Sequence, residues 1–207
     1  FCRSGIQGGT FMLHNTFCRR LAALVLTLAV AVSAVLPVFA VYPMPIQTAT
    51  ETEAVYLFNA DTGKTLLTQN ADQPRYVASL TKLMTALLLL ESGKDLNGEV
   101  TVPTDLTQEF KDIQNANGTT MGLRIGETVR RIDLLNALLI TSANDAASVI
   151  AWDVGGSLNA FIQQMNARAA ELGCTSATFT CAHGLYDYGN VASAEDMAKI
   201  AAACAAN

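Results

Sequence analysis

Hydrophobic and polar positions divide the chain into segments of different period. Leu21 to Ala40 is an uncharged, almost continuous apolar run. A polar, proline-containing stretch follows. Ala54 to Phe58 and Thr65 to Thr68 are short β-rich runs either side of Asn59-Ala60-Asp61-Thr62-Gly63-Lys64, which predicts a hairpin closed by a glycine-containing turn. Ser79 to Leu90 is apolar and rich in helix formers, with Gly93 placed to end it, so a helix is predicted there. Val100 to Gly126 is polar and rich in Gly, Asn and Thr, and reads as loop with short elements. Ile132 to Ile140 predicts an apolar helix, Thr141-Ser142-Ala143-Asn144 a polar break, and Asp145 to Trp152 a second helix.

Leu158, Phe161, Ile162, Met165, Ala169 and Leu172 recur at helical spacing between Ser157 and Gly173, an amphipathic helix with both ends marked. Ser193 and Asp196 form a capping-box-like pair before a last helix whose Met197, Ile200, Ala201 and Cys204 share one stripe. Leu83, Leu87 and Leu90 are expected in the core. Two strands alone make a marginal sheet, so the pattern reads as a sheet lacking some of its strands.

The N-terminal run changes the domain picture. Arg19 and Arg20 precede it and Val38-Phe39-Ala40 ends it with small residues at the third-last and last positions, the pattern of a cleavable export signal. The run is also nearly long enough to span a bilayer. Met12 is a natural start for such a leader, so residues 1–11 read as upstream translation, 12–40 as signal peptide, 41–53 as linker and 54–207 as a catalytic domain. The expected location is extracytoplasmic, either secreted or at the outer face of the cell membrane.

Of 207 residues, 51% are hydrophobic and 15% charged, enough apolar material for a core. Thirteen Lys and Arg face eighteen Asp and Glu, for a net charge of −5. No basic cluster exceeds two residues, which excludes a nucleic-acid footprint. Of five cysteines, Cys2 and Cys18 precede the predicted domain. A Cys174–Cys181 disulfide and free buried thiols are both compatible with the rest. Cys174, Cys181, His183 and Cys204 match no common structural zinc spacing, and no metal or cofactor is expected.

Ser79 and Lys82 stand three apart at a helix start, so hydroxyl and amine share a face. Serine becomes a nucleophile when a neighbour takes its proton. Lysine can do so once burial, here expected among Leu80, Leu83 and Met84, and the positive helix end depress its pKa. Alone, such a pair is equally explained by a serine cap. Ser142 and Asn144, presented from a polar break between two apolar helices, could reach the same cleft; Asn144 could also cap the helix beginning at Asp145.

Together, Ser79-Leu80-Thr81-Lys82 and Ser142-Ala143-Asn144 resemble two of the three signature motifs of the penicillin-recognising enzymes. The surrounding Ala78 to Ala86, Met121-Gly122-Leu123-Arg124-Ile125-Gly126-Glu127, Asp133-Leu134-Leu135 and His183-Gly184-Leu185 with Ser193-Ala194-Glu195-Asp196 are similar to the low-molecular-mass D-alanyl-D-alanine carboxypeptidases (peptidase family S11). The resemblance covers about residues 54–205 and implies an α/β fold of the β-lactamase and DD-peptidase type, an antiparallel sheet flanked by helices with a helical subdomain. It implies Ser79 as nucleophile, Lys82 as base, Ser142 as proton relay and Asn144 as substrate-binding residue. The implied partners are peptidoglycan stem peptides, with β-lactams as inhibitors.

The third motif of that family, Lys-Thr/Ser-Gly on a sheet strand, does not occur; Lys64-Thr65 precedes the nucleophile and runs into Leu66. The resemblance places the motif beyond Asn207, so a C-terminally truncated sheet is expected. Cys181-Ala182 also stands where relatives often carry Asn-Pro. The competing readings are a non-catalytic cell-wall-binding protein of the same fold and a serine β-lactamase. The latter is disfavoured because Glu171 sits in a helix end and not in that enzyme's Glu-x-x-Leu-Asn setting.

Overall fold

The computed structural model describes Arg20, Val25, residues 52–185 and residues 187–207. The expectations for residues 1–11, the leader and most of the linker lie outside the described residues. Among the described residues no helix is long and apolar enough to cross a membrane. The chain divides into two units, residues 1–47 and 48–207, and the second carries the strands and helices that build the site.

The hairpin forms as the two β-rich runs and their turn predict. Strand β1 (Val55–Phe58) pairs antiparallel with β2 (Thr65–Gln69). Strand β3 (Arg75–Tyr76) leads into a single 3-10 turn, Ala78–Leu80, and then helix α1 (Thr81–Glu91). Strand β4 (Glu99–Thr101), a second 3-10 turn (Thr104–Leu106), helix α2 (Thr107–Asn115) and strand β5 (Thr128–Arg130) follow. Helices α3 (Arg131–Ile140), α4 (Asn144–Gly155) and α5 (Leu158–Glu171) form the helical body, and strand β6 (Val191–Ala192) precedes the last helix, α6 (Ala194–Ala205).

The stretch expected to be loop with short elements contains a 3-10 turn and a nine-residue helix, α2, on which only Ile113 is fully buried. Its residues are mostly polar, and Phe110 and Ile113, three apart on one face, supply its apolar contact with the core. The strands make three separate two-stranded antiparallel pairs among the described residues: β1–β2, β3–β6 and β4–β5. Only the first was predicted, because β3 and β6 are two residues each and β4 and β5 three.

Helix α1 is central and packs against α3, α4, α5 and α6, while α6 also packs against β1. The core residues on α1 are Met84, Ala86, Leu87 and Leu89; Leu83 and Leu90, expected there, are half-buried at its margin. Helix α4 packs on α1, α3 and α5, and Ala143, Ala146, Ala147 and Ala151 at and after its start are small and fully buried. The predicted ends hold for α5, where Ser157 Oγ accepts from Ala160 N at 3.2 Å. At α6, Ser193 Oγ accepts from Asp196 N at 3.1 Å, but the Asp196 carboxylate turns away to accept from Thr175 N and Ser176 N, so only half of the capping box forms. Helix α1 ends at Ser92, and Gly93 follows at φ +71°, a conformation that costs glycine nothing.

Asp145 holds α4 to the segment before β5. Its buried carboxylate accepts from the backbone N–H groups of Met121, Gly122 and Leu123 at 3.0 Å each, and from Ala146 N at 2.9 Å. Removing it leaves several donors without their acceptor. Asp145→Ala should lower unfolding free energy by about 3 kcal/mol, read as a shift in urea midpoint; a loss of under about 0.5 kcal/mol, as at an ordinary surface position, would show that the anchor is not needed.

Candidate active site

The four residues singled out from sequence meet in one place. Ser79 lies in the 3-10 turn and Lys82 on the first turn of α1, while Ser142 and Asn144 come from the α3–α4 junction. Lys82 Nζ stands 3.3 Å from Ser79 Oγ, and Ser142 Oγ donates to Ser79 Oγ at 3.0 Å. These atoms line an open groove of about 420 Å³ whose apolar walls include Leu83, Leu138 and Leu139.

Lys82 has two further partners. It donates to Asn144 Oδ1 at 2.8 Å and to the backbone carbonyl of His183 at 2.6 Å. This arrangement suits both protonation states. The ammonium gives one N–H to each of three oxygens. The neutral amine still satisfies both carbonyls, leaving its lone pair toward Ser79 Oγ. Burial disfavours the charged form and, despite an opposing contribution from Cys181, brings the Lys82 pKa from 10.5 to about 8. The surroundings differ from the expectation of an apolar sleeve: Leu80 is 53% exposed, and the amine sits among carbonyl oxygens.

Asn144 is not a cap. It is the first residue of α4, whose N-cap is Ala143. Its buried amide is fixed at both ends, Oδ1 on Lys82 and Nδ2 donating to Thr119 O at 2.9 Å. Ser142 owes its place to backbone geometry, since it adopts φ +58° in the reversal between α3 and α4. Ala78, just before the nucleophile, is likewise left-handed at φ +46°. Such conformations cost a non-glycine residue about 1 kcal/mol or more.

Several positioning groups carried no readable signal. Residues 179–184 run alongside α1 as a strap. Thr85 Oγ1 donates to Ala182 O at 2.6 Å, and Asn190 Nδ2 donates to Thr81 Oγ1 at 2.8 Å. Asn166 on α5 clasps Phe179 through both its N–H and its carbonyl at 2.8 Å. Gly184 is required by contact: a Cβ there would collide with the carbonyl of Ala78, and its φ of +80° suits glycine. Next to the strap, Leu185 N stands 3.1 Å from His183 Nδ1, and His183 Nε2 stands 3.0 Å from Glu109 Oε1. Burial alone would pull the His183 pKa down, but hydrogen bonds with Cys181 and Glu109 outweigh it and raise it to about 9. The hydrogen bond with His183 holds the Glu109 carboxyl below its ordinary value.

Cys174, Cys181 and Cys204 are all free thiols, so the Cys174–Cys181 disulfide does not form. No group of His, Cys, Asp and Glu suited to a metal occurs among the described residues.

Residues 42–207 match the model of the D-alanyl-D-alanine carboxypeptidase family S11. The chain is 33% identical over 153 residues to the D-alanyl-D-alanine carboxypeptidase DacF of Bacillus subtilis, covering 74% of this chain and 39% of that protein. It is 33% identical over 175 residues to a D-alanyl-D-alanine endopeptidase of Pseudomonas aeruginosa, covering 84% of this chain and 54% of the relative. The chain thus spans about two fifths to half the length of these relatives. The DD-transpeptidase of Streptomyces K15 superimposes with a TM-score of 0.67 at 31% identity, over 73% of this chain and 60% of that structure. The fold is accordingly that of the DD-peptidases, and the chain belongs to the D-alanyl-D-alanine carboxypeptidase family S11.

Proposed function

We propose that the protein is an exported serine D-alanyl-D-alanine carboxypeptidase that removes the terminal D-alanine of peptidoglycan stem peptides through an acyl-enzyme on Ser79. The observation that carries this reading is the partly desolvated Lys82 amine, 3.3 Å from Ser79 Oγ and hydrogen-bonded to two carbonyl oxygens. Neutral Lys82 takes the Ser79 proton as Oγ attacks the carbonyl between the two D-alanines. Ser142, hydrogen-bonded to the same Oγ, relays a proton to the leaving amine. The positive end of α1 favours negative charge developing beside Ser79. Asn144 holds Lys82 in place, and the second N–H of its Nδ2, beside the one given to Thr119 O, serves the substrate backbone. Water then cleaves the ester, and a β-lactam acylates Ser79 in the same way.

A close second reading within the family is endopeptidase action on cross-linked peptides, supported by the similarity to the Pseudomonas relative so named. Comparing release of D-alanine from a stem pentapeptide with cleavage of a cross-linked dimer separates the two. A non-catalytic wall-binding role is the reading from a different class, and the absence of any acylation would favour it.

Labelling with a fluorescent penicillin tests the chemistry. In the complete protein, Ser79→Ala should abolish the label, and Lys82→Ala should slow acylation by about 10²- to 10⁴-fold, the usual worth of a general base. A Ser79→Ala protein that still labels covalently would overturn the assignment. The pH dependence follows from Lys82: it is protonated and inactive as a base below its pKa and competent above it. The acylation rate should therefore rise with pH and reach half its plateau near about 8. A rate flat from pH 6 to about 9 would exclude Lys82 as the titrating base.

A further inference from the structure

A second nucleophile lies on the far side of the strap from Ser79. Cys181 opens into a cleft of about 360 Å³ together with Glu109, His183, Asp112, Asp187 and Thr180. Two segments bring its reactive groups together: α2 supplies Glu109, and the strap supplies Cys181 and His183. Cys181 Sγ accepts the backbone N–H of Gly184 at 3.2 Å, a contact that favours a thiolate. Glu109 Oε1 holds His183 Nε2 at 3.0 Å and also accepts from Ser148 Oγ at 2.9 Å, so the imidazole is oriented by a carboxylate that is itself fixed. Burial would push the Cys181 thiol up, but the hydrogen bond and charge of His183 outweigh it and hold the thiol below its ordinary value. The other two thiols differ. Burial pushes Cys174 up to about 11 and also raises Cys204.

We propose that Cys181, with His183 and Glu109, forms a thiol-exchange site for small cationic disulfides, and that occupation of this site slows acylation at Ser79. The preference for a cation follows from Glu109, Asp112 and Asp187 in the lining, where His183 is the only basic side chain among the described residues. In the exchange, the Cys181 thiol first loses its proton to solvent, and the thiolate Sγ attacks one sulfur of the disulfide. The new Sγ–S bond forms as the reagent's S–S bond breaks. The other half leaves as a thiolate and takes a proton from solvent, so one disulfide replaces another with no net oxidation. The adduct displaces Sγ from Gly184 N. That turn carries the His183 carbonyl bound to Lys82 and the Gly184 backbone lying against Ala78. The effect on acylation rests on the reading of Ser79 and Lys82 above; the exchange does not.

The test treats the complete protein at neutral pH with cystamine and maps the mixed disulfides by mass spectrometry after acid quenching. Cys181 should react about tenfold or more faster than Cys174 and Cys204, as expected for a lower-pKa thiol. His183→Asn or Glu109→Gln should bring its rate down toward theirs. The anionic disulfide dithiodipropionate should react more slowly than cystamine, each rate being normalised to that with N-acetylcysteine. The cystamine-treated protein should label several-fold more slowly with penicillin, recover on reduction, and lose this sensitivity in Cys181→Ser. Reaction at Cys181 no faster than at Cys204 in the unmodified sequence overturns the site, whatever the variants do. Equal normalised rates overturn the cation preference. Rapid exchange with unchanged acylation overturns the coupling to Lys82.

Discussion

Everything near the groove is arranged around one amine that burial discourages from being charged. Lys82 draws its three oxygen partners from three places: the 3-10 turn before α1, the first residue of α4, and the backbone of the strap. A lysine placed there without those oxygens would bury polar hydrogens unpaired, at a cost of roughly 1–3 kcal/mol for each lost partner. Stability and chemistry thus impose the same demand, that α1, α4 and the strap keep their spacing. The helical body meets it with small residues. Ala143, Ala146 and Ala147 are fully buried around Asn144, so bulkier residues there would overpack the core that holds its amide.

The strap is the least regular part of this arrangement and the most heavily tied. Thr81, Lys82 and Thr85 present polar atoms from the face of α1 toward the strap and Asn190, while Asn166 grips Phe179 from α5. A chain segment with almost no repeating hydrogen bonds of its own must have its backbone groups satisfied from outside. The result is a rigid loop built on helices, able to aim one carbonyl at Lys82 from above while Gly184 lets it settle onto Ala78.

Much of this was legible beforehand, and the limits have physical causes. The hairpin, the central helix and the two helices around Ser142 announce themselves through β-rich runs about a turn, apolar content and a polar interruption. Ser79 and Lys82 could be paired because helical spacing converts sequence distance into spatial distance. Ser142 and Asn144 are over sixty positions from them, and only a resemblance linked the two sets. Nothing local marks Glu109, Asn166 or Asn190, polar residues whose partners are remote. The carbonyl of His183 has no sequence signature, since every residue has one. Helix α2 was missed because its buried face amounts to little more than Ile113 and Phe110, and Lys82 was given apolar neighbours because its oxygen partners come from distant segments.

Ala78 and Ser142 flank the reacting hydroxyl from two directions, and both hold left-handed backbone without being glycine. Each therefore stores conformational energy that a glycine would release. Replacement of both by glycine would be expected to make the fold more stable and the groove less defined, because the same change frees the turn that aims Ser79 and deletes the Ser142 hydroxyl. A screen for heat resistance alone would drift toward those glycines and blunt the groove as it did so. Protein engineers hardening this scaffold therefore have two positions to leave alone.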